Sequence, residues 1–166
     1  MRICFDMDGT ITEGRFIEPP RTFEAYMGLG PYDKDTRTIW NRLVLKHELF
    51  IMTARSDYRA DTMIYAWLHR EGMLKPTSII SGIPQPAKWF LARMMNTEIM
   101  IDDSPNVAET AYNIEPTLIM MDNPHRKKNQ EHNPYPHITR IGSWKDLGEL
   151  IETIDIRKSY KQLTST

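Results

Sequence analysis

Met1-Arg2-Ile3-Cys4-Phe5-Asp6-Met7-Asp8-Gly9-Thr10 is the stretch from which the rest of the chain is read. A short apolar run ends abruptly in two acids one residue apart, then glycine. Such a run, bounded by a turn signal, reads as a strand buried on both faces, as strands of parallel sheets are. The same design returns downstream. Residues 49–52 form an apolar run closing in Thr53-Ala54-Arg55, and residues 99–101 form one closing in Asp102-Asp103-Ser104-Pro105. Residues 77–80 and 117–121 read as further short strands, and 138–141 as a last edge strand.

Between these runs lie segments of helical period. Ile39, Trp40, Leu43 and Val44 share one face of a helix expected to run to about residue 46 from a cap at Asp33 or Asp35. Met63, Ile64, Trp67 and Leu68 do the same in a helix capped by Asp57 and ended by Glu71-Gly72. Pro86 and Pro105 stand where a first-turn proline is tolerated, opening helices to about residues 95 and 113. Ser143 is expected to cap a final helix through about residue 156, with a frayed tail over 157–166. Residues 11–32 mix proline, glycine and charge and read mostly as loop, a flap or minimal cap. Residues 122–137 read as a polar loop. Strands alternating with helices imply right-handed crossovers. The expected fold is α/β: a Rossmann-like three-layer α/β/α sandwich with a mainly parallel sheet of five or six strands, in one domain over 1–156.

Composition narrows the function classes. With 166 residues, 40% hydrophobic and 26% charged, the chain has the make-up of one globular domain. A net charge of -1 gives no global attraction to nucleic acid or an anionic membrane. The single cysteine, Cys4, lies in an apolar run and has no intramolecular partner, which fits a reducing compartment. No apolar stretch approaches the roughly 20 residues that span a bilayer. A cytoplasmic protein with no membrane partner is expected.

In a doubly wound sheet, ligands bind beyond the carboxyl ends of the strands. Asp6, Asp8, Thr53, Asp102 and Asp103 all fall there, and Lys88 sits near the start of the helix leading into the fourth strand. Each residue has an ordinary reading when taken singly. Asp and Gly are common in turns, Asp102-Asp103 would serve to cap the helix at Pro105, and Lys88 would be a solvated helix-start lysine with Lys75 as a rival.

Taken in order, they resemble the haloacid dehalogenase superfamily of phosphohydrolases. Asp6-Met7-Asp8-Gly9-Thr10 matches its first motif, Thr53 its second, Lys88 its third, and Asp102 with Asp103 its fourth. The resemblance implies that Asp6 attacks phosphorus and forms an aspartyl-phosphate. Asp8 would protonate the leaving oxygen and later deprotonate the attacking water. Mg²⁺ would be held by Asp6, by the backbone carbonyl of Asp8 and by Asp102, with Asp103 nearby or shared. Gly9, Thr53, Ala54, Arg55 and Lys88 would bind the phosphoryl group. The chemistry needs such a set, because a phosphate dianion repels an attacking carboxylate unless charge is neutralised.

Neither the gap from Thr10 to Thr53 nor that from Thr53 to Lys88 leaves room for a large cap. An open site is expected, taking either a small molecule, with a second copy of the chain as a possible cover, or a macromolecular end. Thr53-Ala54-Arg55, Asn133-Pro134-Tyr135 and Ser143-Trp144-Lys145-Asp146 are similar to the 5'(3')-deoxyribonucleotidase branch. That implies a deoxynucleoside monophosphate substrate. Phe16, Phe23, Tyr26 and Tyr32 are the aromatic residues available for base contact, or for ordinary packing of the flap. A polynucleotide 3'-end phosphatase is the alternative, for which His125-Arg126-Lys127-Lys128 would meet strand phosphates or would simply be solvated. A non-catalytic binding protein on the same fold is a third reading, opposed by the retention of Asp6 and Asp8.

Overall fold

The computed structural model describes residues 1–14, 23–56, 59–111, 114–123 and 138–164. Six strands, β1 (Arg2–Phe5), β2 (Glu48–Met52), β3 (Ser78–Ile80), β4 (Ile99–Asp102), β5 (Thr117–Met121) and β6 (Thr139–Ile141), form one sheet in the order β3-β2-β1-β4-β5-β6. Every pairing is parallel. The chain winds outward from β1 to β3, returns to lay β4 against the other side of β1, and winds outward again. The reversal between β1 and β4 is the topological switch point where such sheets open a crevice.

The helices are α1 (Phe23–Met27), α2 (Thr36–Lys46), α3 (Ala60–Arg70), α4 (Lys88–Met94) after a 3₁₀ turn at Gln85–Ala87, α5 (Pro105–Ala108) and α6 (Trp144–Thr164). Side chains alternate across a strand, and the two sheet faces divide accordingly. Ile3, Phe5, Leu49, Ile51, Ile99, Ile101, Ile119 and Met121 pack with α2, α3 and α6. Cys4, Phe50, Met52, Met100, Leu118 and Met120 pack with α4 and α5 on the other face. Burial pushes the Cys4 thiol far above its ordinary value, so it behaves as a small hydrophobe.

All four tryptophans are buried, and each indole N–H donates to a loop carbonyl: Trp40 to Leu74, Trp67 to Leu29, Trp89 to Pro116 and Trp144 to Thr10. The core therefore fixes the loops as well as the helices. Phe5 stands between two of these rings, edge-on to Trp40 at 5.4 Å and stacked on Trp144 at 5.5 Å.

Asp33 does the capping at α2, accepting the amides of Asp35 and Thr36 with Oδ1, both at 2.9 Å; Asp35 makes no side-chain cap bond. Asp33 Oδ2 accepts the Trp144 amide at 2.8 Å, so one carboxylate ties the starts of α2 and α6 together. Ser143 caps α6, with Asp146 returning its bond. Asp57 and residues 124–137, including the basic run 125–128 and Asn133-Pro134-Tyr135, lie outside the described residues.

Two expected boundaries are corrected. α6 does not end near residue 156 but continues to Thr164, because Lys158 reaches Glu98 at 2.5 Å and Glu115 at 3.1 Å and holds the segment against the sheet. The helix opened by Pro105 stops at Ala108 instead of running to residue 113. There the Ala111 amide is shared between Val107 and Ala108, and the Thr110 hydroxyl donates to the Val107 carbonyl. Both tighten the turn in place of continuing it. The described part of 11–32 is also more ordered than a plain loop. Glu13 and Gly30 exchange bonds across its base, and α1 packs against α3. No helix among the described residues is long and apolar enough to cross a membrane.

Candidate functional site

β1 delivers Asp6 at its carboxyl end, where the Asp6 amide still bonds the Ile101 carbonyl of β4 at 2.8 Å. β4 delivers Asp102, and α4 brings Lys88 across from the sheet's second face. Lys88 Nζ donates to Asp6 Oδ1 at 2.6 Å and to Asp102 Oδ2 at 3.1 Å, with its side chain fully buried. The rival, Lys75, instead stacks over the Tyr65 ring at 4.8 Å. One carboxylate oxygen from each of Asp6, Asp102 and Asp103 lies within 4.8 Å of the other two.

The electrostatics of this cluster are unbalanced. Burial pushes the Asp6 carboxyl up to about 8; Lys88 opposes the shift, while Asp102, Asp103 and Asp8 add to it. Burial works against the Lys88 ammonium, yet Asp102 and Asp6 outweigh it and hold Lys88 well above its ordinary value. Two acids thus bond one ammonium in a buried cluster, with Asp103 close beside them. Hard, closely spaced oxygens carrying excess negative charge are a donor set that fits Mg²⁺.

The loop after Asp6 is shaped to stay close to this cluster. Gly9 has φ +86°, and a Cβ there would lie 2.2 Å from Asp103 Oδ2 and 2.3 Å from Asn123 Nδ2. No other residue fits without displacing both. Asn123 Nδ2 donates to Asp103 Oδ2 at 2.6 Å. Trp144 holds the Thr10 carbonyl at 2.8 Å from the far side. Asn123 and Trp144 thus support the site without having been singled out for it in the sequence. The signal for Asn123 was available: Asp122-Asn123 closes an apolar strand just as Asp102-Asp103 does.

Thr53 closes β2 and is buried. Its amide bonds Ile80, its carbonyl accepts from Ile83, and its Oγ1 accepts the Arg55 amide at 3.2 Å, folding Thr53-Ala54-Arg55 into a tight turn. Ala54 is exposed at the rim. Arg55 was expected with the phosphate binders, but its guanidinium pairs with Asp8. Nε donates to Asp8 Oδ2 at 2.8 Å and NH2 to Asp8 Oδ1. The Arg55 guanidinium carbon stands 3.8 Å from the centre of the Tyr26 ring. Burial alone would lower the Arg55 pKa, but the hydrogen bond and charge of Asp8 raise it. The Asp8 carboxylate remains 32% exposed and stands apart from the three clustered acids.

Of the four aromatic residues considered for base contact, Tyr26 is buried beneath Arg55, and Tyr32 donates its hydroxyl to the Asp122 carbonyl. Both serve packing. Phe16 lies outside the described residues, as does the side chain of Phe23. Comparison with protein-family models gave no match, and comparison with curated proteins gave none.

Proposed function

We propose that this chain is a Mg²⁺-dependent phosphomonoesterase of the haloacid dehalogenase type, acting on (deoxy)nucleoside monophosphates through an aspartyl-phosphate. The observation that carries this reading is Lys88, fully buried and bonded to both Asp6 and Asp102. An ammonium buried between two carboxylates with a third alongside is an expensive arrangement for stability alone. It is an arrangement suited to phosphoryl transfer, which supports this reading.

Asp6, Asp102 and Asp103 would hold Mg²⁺, which would supply charge neutralisation for the phosphate dianion and the attacking carboxylate. Lys88 fixes Asp6 Oδ1, so Oδ2 is the attacking atom. A bond forms from that oxygen to phosphorus as the ester P–O bond breaks, and Asp8 gives a proton to the departing alkoxide. In the second half, Asp8 takes a proton from water, whose oxygen attacks the phosphorus of the aspartyl-phosphate. Asp6 leaves as carboxylate with inorganic phosphate as product. The Thr53 hydroxyl and the Ala54 amide that follows it would be the phosphoryl-oxygen donors.

A rate panel tests the reading. Deoxynucleoside 5'- and 3'-monophosphates are compared with a 3'-phosphorylated oligonucleotide, each with Mg²⁺ and after exhaustive chelation. Mononucleotides are expected to be hydrolysed fastest, and only with metal. Preference for the oligonucleotide reverses the substrate assignment, and full activity after chelation removes the metal.

A further inference from the structure

Arg55 follows the end of β2, and its guanidinium hydrogen-bonds Asp8, not Asp6 or Asp102. We infer that Arg55 is the positioning residue for Asp8, clamped in place by Tyr26, rather than a ligand of the phosphoryl group. The inference rests on the phosphatase reading above and extends it to how the proton donor is aimed.

Both Asp8 oxygens accept from the guanidinium, Oδ2 from Nε at 2.8 Å and Oδ1 from NH2. A two-point contact fixes the plane of a carboxylate as well as its position. Each oxygen keeps a second lone pair directed away from Arg55, and one of these carries the proton that passes to the leaving group. Asp8 is the more exposed partner, at 32% against 4% for Arg55, so the contact orients a group at the mouth from a group in the wall.

The wall itself is held. Tyr26 supports the guanidinium face at 3.8 Å, and Tyr26 belongs to α1, a helix of only five residues that needs outside support. That support comes from α3 through the Leu29 carbonyl, which accepts from Trp67 Nε1 at 2.9 Å and from Arg70 NH2 at 2.7 Å. From the other side, the Arg55 amide is tied to Thr53 Oγ1 and the Arg55 carbonyl accepts from Gly82 at 2.6 Å. Arg55 is thus fixed at backbone, face and fork, and passes that order to Asp8. This also gives α1 a role: it is a fixed part of the acid-base apparatus.

The two roles for Arg55 separate by leaving group. A residue that aims the proton donor matters in proportion to how much the departing oxygen needs a proton. A residue that binds the phosphoryl oxygens matters equally for every ester. The experiment measures kcat/KM for benzyl phosphate and p-nitrophenyl phosphate, of similar shape but very different leaving ability, in wild type, Arg55→Ala, Arg55→Lys and Asp8→Asn. The ratio of the two rates does not depend on how much of a variant is folded. Arg55→Ala is expected to lose about 100-fold on benzyl phosphate, at the low end for a general acid, and only a few-fold on p-nitrophenyl phosphate. Arg55→Lys, which keeps the charge but not the fork, is expected to show the same selective loss in milder form. Millimolar guanidinium is expected to restore benzyl phosphate turnover to Arg55→Ala by filling the slot on Tyr26. Equal losses on both esters overturn the inference. If Asp8→Asn is selective while Arg55→Ala is not, only the role of Arg55 falls. If the wild type hydrolyses neither ester, the phosphatase reading falls with it.

Discussion

At the carboxyl ends of the strands, Lys88 meets Asp6 and Asp102 with side-chain exposures of 0%, 3% and 0%. At the amino ends, Lys158 meets Glu98 and Glu115 with exposures of 35%, 27% and 64%. Each site sets one lysine between two acids, on the same sheet, at opposite ends of β4, which is 4 residues long. In the wetter site, water screens every charge, and such a pair contributes at most about 1 kcal/mol. In the dry site each charge has lost its hydration, and the cluster is held together because no member can be removed without stranding the rest. Fold stability accounts for the first site. The second is costly to the fold, and the proposed phosphoryl-transfer role supplies a reason for it.

Breaking the dry site at Asp6, the proposed nucleophile, is expected to give the largest effect. Asp6→Asn is expected to lower turnover of p-nitrophenyl phosphate by about 10⁴-fold or more, while circular dichroism stays unchanged. The same variant sharpens the electrostatic side. With the Asp6 carboxyl raised to about 8, the metal-free protein loses stability as pH climbs from the ordinary Asp value of about 3.9 through that range. Urea midpoints across this window are expected to fall with pH in the wild type and to flatten in Asp6→Asn. A slope that persists unchanged would show that Asp6 is not the group responsible.

Lys88→Met comes next. It leaves Asp6, Asp102 and Asp103 facing one another without the ammonium, and is expected to cost about 3–5 kcal/mol in urea unfolding. The deficit should shrink at low pH, where the carboxyls are protonated, and shrink again when Mg²⁺ is added. A loss of under about 1 kcal/mol would mean the dry cluster behaves like the wet one and would erase the contrast.

At the amino ends, Lys158→Met is expected to cost less than about 1 kcal/mol. Burial works against the Glu98 charge, but the Lys158 hydrogen bond and the Arg2 amide lower its pKa below the ordinary value. The stability this provides is present above the ordinary Glu value of about 4.3 and is lost as pH falls through the depressed one. Acid unfolding of Lys158→Met should therefore begin at a higher pH than that of the wild type. Coincident acid transitions would show the pair to be energetically silent.

What could be read from the residues followed from locality. Ile3-Cys4-Phe5, the run ending at Met52 and Ile99-Met100-Ile101 announce buried strands by composition alone, and the polar residue that stops each run announces the sheet edge. Asp6, Thr53 and Asp102 were legible for that reason, and Lys88 from its place before β4. Contacts set by folding at long range were not. The Arg55–Asp8 fork joins residues 47 apart, and the Lys158–Glu98 bond that carries α6 to Thr164 joins residues 60 apart. No periodicity within a window encodes either. Asn123 and Trp144 were missed as supports of the site for a related reason: each acts through a partner, Asp103 or Thr10, chosen by topology.

The position of β1 between β2 and β4 has a consequence for the newborn chain. Synthesis runs from the amino end, so β1, β2 and β3 exist before Lys88 or β4 has been made. Until then, one flank of β1 is an open edge and the Asp6 carboxylate is bathed in water. The arrival of β4 closes that edge, and with it come Asp102, Asp103 and the ammonium that reaches back 82 residues to Asp6. Desolvating Asp6 and supplying its counter-charge are therefore a single late event. No partly made chain is left holding a buried, unmatched acid.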